Sequence, residues 1–237
     1  MWHYLLFVSL FAIAIADPVP FITKCNARDV KCLTNTTNAA IPIFAAGFPE
    51  YGVETLDPLF FETIDSSSLN IKLIMYNTTV KGLKNCKART VQRDVVNSKL
   101  FIKIECNVTL NGLYVMSGRL LLIPIEGKGK NHADINRFIT SFNVTLKDVQ
   151  GKDGKKHWSI KGWSYTYELE DQSHVRLENL FGGNKVLAKA AEIVVAANGN
   201  GIIREIGSPV INTLVVKLAD AIQTFFHAVP LEDLILQ

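Results

Sequence analysis

The side chains that could carry out chemistry are few and scattered. His132, His157, His174 and His227 stand far apart in the chain. His132 and His157 fall at polar turn or strand-start positions and read as solvated. His174 closes the turn Asp171-Gln172-Ser173-His174, and His227 ends an apolar helix, where its charge would meet the helix dipole. Glu168, Glu170 and Asp171 cluster between a strand and a loop. Paired carboxylates can act as general acid and base, but a solvated turn explains these three better. A lipase or esterase would carry G-x-S-x-G between a strand and a helix. That pentapeptide is absent, as are H-E-x-x-H, a P-loop and G-x-G-x-x-G. The four cysteines form no C-x2-C or Cys/His cluster, so no metal site is expected. The residues point away from an enzyme and imply no cofactor.

They point instead to export. Tyr4 to Ile15 is an apolar run broken only by Ser9, and Ala14-Ile15-Ala16 offers small residues for a signal peptidase. The run is too short for a stable membrane anchor, so residues 1–16 read as a signal peptide. Residues 17–237 then read as one secreted domain with no stable membrane insertion. An even cysteine count behind a signal peptide suggests two disulfides. Three pairings are open. Cys25–Cys32, a local staple, and Cys86–Cys106 are favoured. The second follows if Lys84–Thr90 and Leu100–Leu110 form a hairpin centred on Val96, which sets Cys86 opposite Cys106. Four N-x-[ST] sequons start at Asn35, Asn77, Asn107 and Asn143, all candidate glycosylation sites.

The positioning elements follow from hydrophobic period. Asn26 to Ala46 reads as helical, with Pro42 able to kink or end it. From about Asn70 to Leu180 the period is two. In the clearest strand Leu100, Ile102, Ile104, Cys106, Val108 and Leu110 share one face, while Phe101, Lys103, Glu105, Asn107 and Thr109 share the other. Ile74, Tyr76, Thr78 and Val80 alternate with Asn77, Thr79 and Lys81 in the same way. Further strands span Leu113–Ile123, Arg137–Val149, Lys156–Leu169 and Val175–Phe181. Glu126–Gly129 and Gly151–Gly154 read as turns, making an antiparallel meander. Asn77, Asn107 and Asn143 fall on the polar parity of their strands, as a glycan requires. At Gly162 two readings stay open: a bulge that puts Trp158, Ile160, Trp163, Tyr165 and Tyr167 on one face, or aromatics on both faces. The C-terminal third is helical. Asn184 caps Lys185–Ala197. Ser208-Pro209 then opens a helix running to about Ala228, before Pro230.

Apolar residues make up 48% of the chain and the net charge is only +3. So mild a charge argues against nucleic acid. That much apolar surface must be hidden, in a solid core or around a cavity. The inner strand face offers Ile102, Ile104, Phe138, Phe142 and Val144 as ligand-lining residues. The long helix adds Leu214, Leu218 and Ile222. Tyr76 and Tyr114 are candidates to offer a hydroxyl.

Several segments, in order, resemble the insect haemolymph juvenile hormone binding protein/takeout family. These are Cys25-x6-Cys32, Gly47-Phe48-Pro49-Glu50-Tyr51-Gly52 with Leu56-Asp57-Pro58-Leu59, and Val80-Lys81-Gly82-Leu83. Gly112-Leu113-Tyr114-Val115-Met116-Ser117-Gly118-Arg119-Leu120, Pro124–Gly129 and Asn179-Leu180-Phe181-Gly182-Gly183-Asn184 complete the series. The moth hormone carriers keep their second cysteine pair in the C-terminal half. Here Cys86 and Cys106 lie in the sheet, so the resemblance is to a takeout-like relative. It implies an α+β fold: a long C-terminal helix wrapped by a strongly curved antiparallel sheet, as in the tubular lipid-binding (TULIP) proteins. It also implies a monomeric carrier of a small hydrophobic ligand, such as juvenile hormone, a fatty acid or another terpenoid or lipid, in haemolymph or another secretion. The alternative is a secreted module that recognises a lipid surface or a protein and has no tunnel.

Overall fold

The computed structural model describes residues 19–236; the expected signal peptide, 1–16, lies outside them. Seven strands form one antiparallel sheet among the described residues. They are β1 (Leu59–Asp65), β2 (Ile71–Lys81), β3 (Lys87–Asp94), β4 (Lys99–Leu120), β5 (Ile123–Gln150), β6 (Lys156–Leu169) and β7 (His174–Leu177). The order is β1-β2-β4-β5-β6. β3 continues the line of β2 along β4, and β7 continues that of β6 along β5.

Strand length forces curvature. β4 has 22 residues and β5 has 28. At roughly 3.3 Å per residue these would reach about 70 and 90 Å if straight. Bulges supply the bends, because an extra residue in one strand raises its local twist. One lies in β2 at Asn77, with φ 46°, and one in β5 beside Arg137, with φ 42°. A third lies in β6, where Gly162 pairs Thr145 but Ile160 pairs Leu146. The last resolves the two readings at Gly162. Trp158 and Ile160 join Trp163, Tyr165 and Tyr167 on the face that meets the helices.

The remaining elements are helical: α1 (Val30–Ala46), α2 (Lys185–Ala197), α3 (Gly199–Ile206), α4 (Ser208–Ala228) and α5 (Leu231–Leu234). The expected α+β architecture holds: a long C-terminal helix lies against a curved, unclosed sheet. α1 packs on β3, with Leu33 meeting Ala88 and Val91. α4 packs beside β6 and β1, the two edge strands, and comes less close to the central β4 and β5. It therefore spans the gap between the sheet's edges. Around its C-terminal end Phe21, Phe44, Phe48, Tyr51 and Phe225 form an aromatic plug, with Phe44 and Phe225 centroids 4.8 Å apart. Cys25 pairs with Ile235 beside it, which ties the two ends of the described chain together.

Several expectations need correction. α1 starts at Val30, where the Asp29 side chain accepts from the Cys32 N–H, and it continues through Pro42. Leu100–Leu110 and Leu113–Ile123 are not two strands: β4 runs unbroken from Lys99 to Leu120, and Ile123 already belongs to β5. Glu126–Gly129 is not a turn but part of β5. The turn is Leu121-Leu122, both at positive φ. Gly127 and Gly129 serve close packing instead. A Cβ at Gly127 would come 2.6 Å from the Tyr114 hydroxyl, and one at Gly129 would come 2.5 Å from the Glu178 carbonyl. β1 and α3 were not anticipated. Ser208 makes no cap hydrogen bond; Gly207 occupies the cap position. His157 is buried, not solvated. Its Nε2 lies 3.1 Å from both Asp153 carboxylate oxygens and its Nδ1 3.3 Å from the Phe226 carbonyl.

Candidate ligand-binding interior

Both expected disulfides are present, Cys25–Cys32 and Cys86–Cys106. The second forms as expected, but the register about Val96 does not hold beside the turn, where Asp94 pairs Lys99; an extra residue at Arg89 in β3 realigns the ladder. Lys87 pairs Glu105, so the next pair outward is Cys86 and Cys106, with Cα atoms 4.3 Å apart.

Inner and outer faces follow from the ladder. Leu100, Ile102, Ile104 and Cys106 pair Val144, Phe142, Thr140 and Phe138. Beyond the bulge, Val108, Leu110 and Gly112 pair Ile135, Ala133 and Asn131. The extra residue at Arg137 switches the inward parity of β5 from odd to even, so both halves feed one interior. On the helical side Val210, Leu214 and Leu218 pack toward β1, β2 and β4, while Ile211 and Val215 pack against Phe138 and Leu169.

A small cavity opens between these walls, with about 90 Å³ of room for a water-sized sphere. β2 contributes Leu73 and Met75; β4 contributes Leu110, Tyr114 and Met116. Asn131, Ala133 and Ile135 of β5 continue the wall, followed by Val175 and Leu177 of β7. α3 and the first turn of α4 close it with Ile202, Ile203, Ile206, Val210 and Ile211. His132 also borders it, but its ring nitrogens are engaged by Asn111 and Asp134 at 2.7 and 2.8 Å.

The anticipated lining residues divide. Tyr114 borders the cavity, but its hydroxyl donates to the Glu178 carbonyl at 2.8 Å, and burial, aided by the nearby Glu178 charge, pushes its phenol up to about 12. Ile102, Ile104, Phe142, Val144, Leu214 and Leu218 lie on the inner surface and stay partly accessible, while Phe138 is buried. Ile222 is half-buried on α4. Tyr76 is misplaced: the Asn77 bulge reverses the parity of β2, leaving Tyr76 outside and 38% exposed while Thr78 turns in. The cavity-forming set from β2, β5, β7 and α3 was missed. Its signal was present in the spacing Ile202, Ile203, Ile206, one face of a short helix.

Asn35, Asn77 and Asn107 are exposed; Asn143 is half-buried, and its Oδ1 is shut away from solvent. On the outer face Arg89 donates to Glu105 at 2.8 Å and to both oxygens of Glu170 at 3.0 Å, and Arg137 donates to Glu170 at 2.6 Å. Of the anticipated carboxylate cluster, Glu170 and Asp171 are thus ion-paired with arginines of β3 and β5.

Residues 5–236 match the family model described as haemolymph juvenile hormone binding protein. The chain belongs to the haemolymph juvenile hormone binding protein family. Its sheet and helices superpose on the crystal structure of Epiphyas postvittana Takeout 1 with a TM-score of 0.86, at 27% identity, covering 90% of this chain and 99% of that one. The circadian clock-controlled protein daywake of Drosophila yakuba is 24% identical over 225 residues, 90% of this chain and 86% of that protein. The juvenile hormone-binding protein of Manduca sexta is 23% identical over 162 residues, 67% of this chain and 60% of that protein.

Proposed function

We propose that this member of the family is a secreted carrier that shelters one small hydrophobic ligand between the curved sheet and α4. The observation that carries this reading is the cavity, whose walls are aliphatic and aromatic apart from Asn131 and His132. The space open to a water-sized sphere is about 90 Å³, below the roughly 300–1,000 Å³ common for small-molecule sites, so a ligand would have to extend from it along the partly accessible inner face. A ligand of 15–20 carbons would gain several kcal/mol on entering it, at roughly 25 cal/mol per Å² of apolar area removed from water. Ile102, Ile104, Phe142, Val144, Leu214, Leu218 and Ile222 would extend the lining along the inner face. Two disulfides, exposed sequons and the signal-like residues 1–16 support secretion.

Substituting Ala133→Phe tests the reading. Ala133 is half-buried on the cavity wall, so a phenyl ring there fills ligand space. Overpacking of this kind typically costs about 1–3 kcal/mol. Binding of a fluorescent fatty-acid analogue should fall at least tenfold while the variant keeps its far-UV spectrum. Unchanged affinity in a folded variant would contradict the reading.

One observation favours a second reading, recognition of a lipid surface. α2 carries Val186, Leu187 and Ile193 at 79%, 50% and 61% exposure. No single described helix is long and apolar enough to cross a membrane. Co-sedimentation with liposomes, lost on Val186→Ser with Ile193→Ser, would support that role.

A further inference from the structure

A polar notch adjoins the cavity at Asn131. Thr78 is wholly buried and Asn131 is 8% exposed, yet Thr78 Oγ1 and Asn131 Oδ1 have no hydrogen-bond partner among the described residues. Buried polar atoms are nearly always paired, because leaving one unpaired costs about 1–3 kcal/mol. The two atoms converge on one place. A Cβ built on Gly112 would lie 2.8 Å from Thr78 Oγ1, 3.1 Å from Asn131 Oδ1 and 2.9 Å from the Tyr76 carbonyl oxygen. Gly112 is itself on the inner face, paired with Asn131. The notch is therefore open because residue 112 has no side chain. Leu110 and Tyr114, on either side of Gly112 along β4, border the cavity, as Asn131 does.

The notch is made by the fold. The Asn77 bulge turns Thr78 inward, and the second bulge, beside Arg137, keeps Asn131 in the inward set. Neither residue belongs to a charged group. No Lys, Arg, Asp or Glu borders the cavity among the described residues, and His132 is engaged by Asn111 and Asp134. A carboxylate or ammonium seated there would lack a counter-charge in an apolar wall, which is strongly unfavourable. The chemistry of the pair narrows the choice further. A threonine hydroxyl both donates and accepts, whereas an amide oxygen only accepts. A guest hydroxyl can donate to Asn131 and accept from Thr78 at once. An ester or ketone oxygen can satisfy Thr78 alone.

We propose that Thr78 and Asn131, set across Gly112, are the polar anchor of the interior and select a neutral lipid ending in a hydroxyl. This rests on the cavity being a ligand site and adds the class of ligand.

The test uses the full secreted chain and displacement of N-phenyl-1-naphthylamine by four matched compounds: dodecanol, methyl dodecanoate, dodecanoic acid at neutral pH and dodecane. Dodecanol should displace the probe at a concentration on the order of tenfold lower than the others, the worth of one retained buried hydrogen bond. Asn131→Leu should abolish the preference for dodecanol over methyl dodecanoate, Thr78→Val should weaken both of those compounds, and neither variant should change displacement by dodecane. Thr78→Val keeps the Asn77 sequon, and since its hydroxyl is unpaired without ligand, it should not lower Tm. Equal displacement by all four compounds, or an unaltered preference in both variants, would overturn the anchor and leave the carrier reading standing. A marked fall in Tm for Thr78→Val would show an internal partner for the hydroxyl and also overturn it. Failure of every compound to displace the probe would bring down both readings.

Discussion

Single positions in this protein are decided by which face they take. Tyr76 and Thr78 show how narrowly. Both sit on the same parity in the sequence, yet one faces solvent and the other is sealed inside, because one bulge intervenes. The sequons obey the same logic. Asn35, Asn77 and Asn107 present exposed side chains, whereas Asn143 is held between Phe101 and Ser164 with its Oδ1 buried. We expect glycans at Asn35, Asn77 and Asn107 and none at Asn143. Intact-mass measurement of the secreted protein before and after PNGase F, with peptide mapping, checks this; an occupied Asn143 would refute it.

At the scale of elements, the hairpin of β3 and β4 is held at both faces. Inside, Cys86–Cys106 closes a segment with a sequence separation of 20. Replacing both cysteines by serine should cost about 2–4 kcal/mol, chiefly by freeing the unfolded chain. Denaturant unfolding would measure it, and a loss below about 1 kcal/mol would mean that the unfolded chain is already compact there. Outside, the Arg89–Glu170 clasp depends on pH. Hydrogen bonding from Arg89, then the charges of Arg89 and Arg137, hold the Glu170 carboxyl below its ordinary value. A carboxyl lowered on folding stabilises the native state above its unfolded pKa, and that contribution is lost as pH falls through the folded pKa. Glu170→Gln should therefore lower Tm at neutral pH. The gap to the wild type should shrink only below about pH 4.5, the ordinary value of the group. A gap independent of pH would assign the effect to packing.

For the whole molecule, the governing feature is a helix laid across the open edges of a curved sheet, with aromatics plugging one end and a cavity at the other. Ligand that binds only this folded arrangement must stabilise it, by about 2.7 kcal/mol at a hundredfold excess over Kd. Differential scanning calorimetry with dodecanol should show Tm rising with ligand concentration in the wild type and staying flat in Ala133→Phe. A flat response in the wild type would mean that the ligand is not held inside.

Much of this was legible in the residues. The period of two in Leu100–Leu110 marked the inner face of β4, and the Cys86–Cys106 pairing was expected, although the hairpin turns half a residue away from Val96 and a bulge at Arg89 restores the register. Asn184 and Pro230 bracketed the helical end. These are local properties: side-chain alternation, capping and turn chemistry act within a few residues. The sequence alone therefore determined most element types, though not β1 or α3, together with the favoured disulfide pairing and the family resemblance. Only the tertiary structure decided where parity reverses, since a bulge is set by the neighbouring strand and not by the residue that bulges. It also decided that Gly127 and Gly129 lie in a strand, because Tyr114 and Glu178 press on them from distant segments. Thr78, Gly112 and Asn131 come from three strands far apart in the chain, and no local pattern could have brought them to one notch.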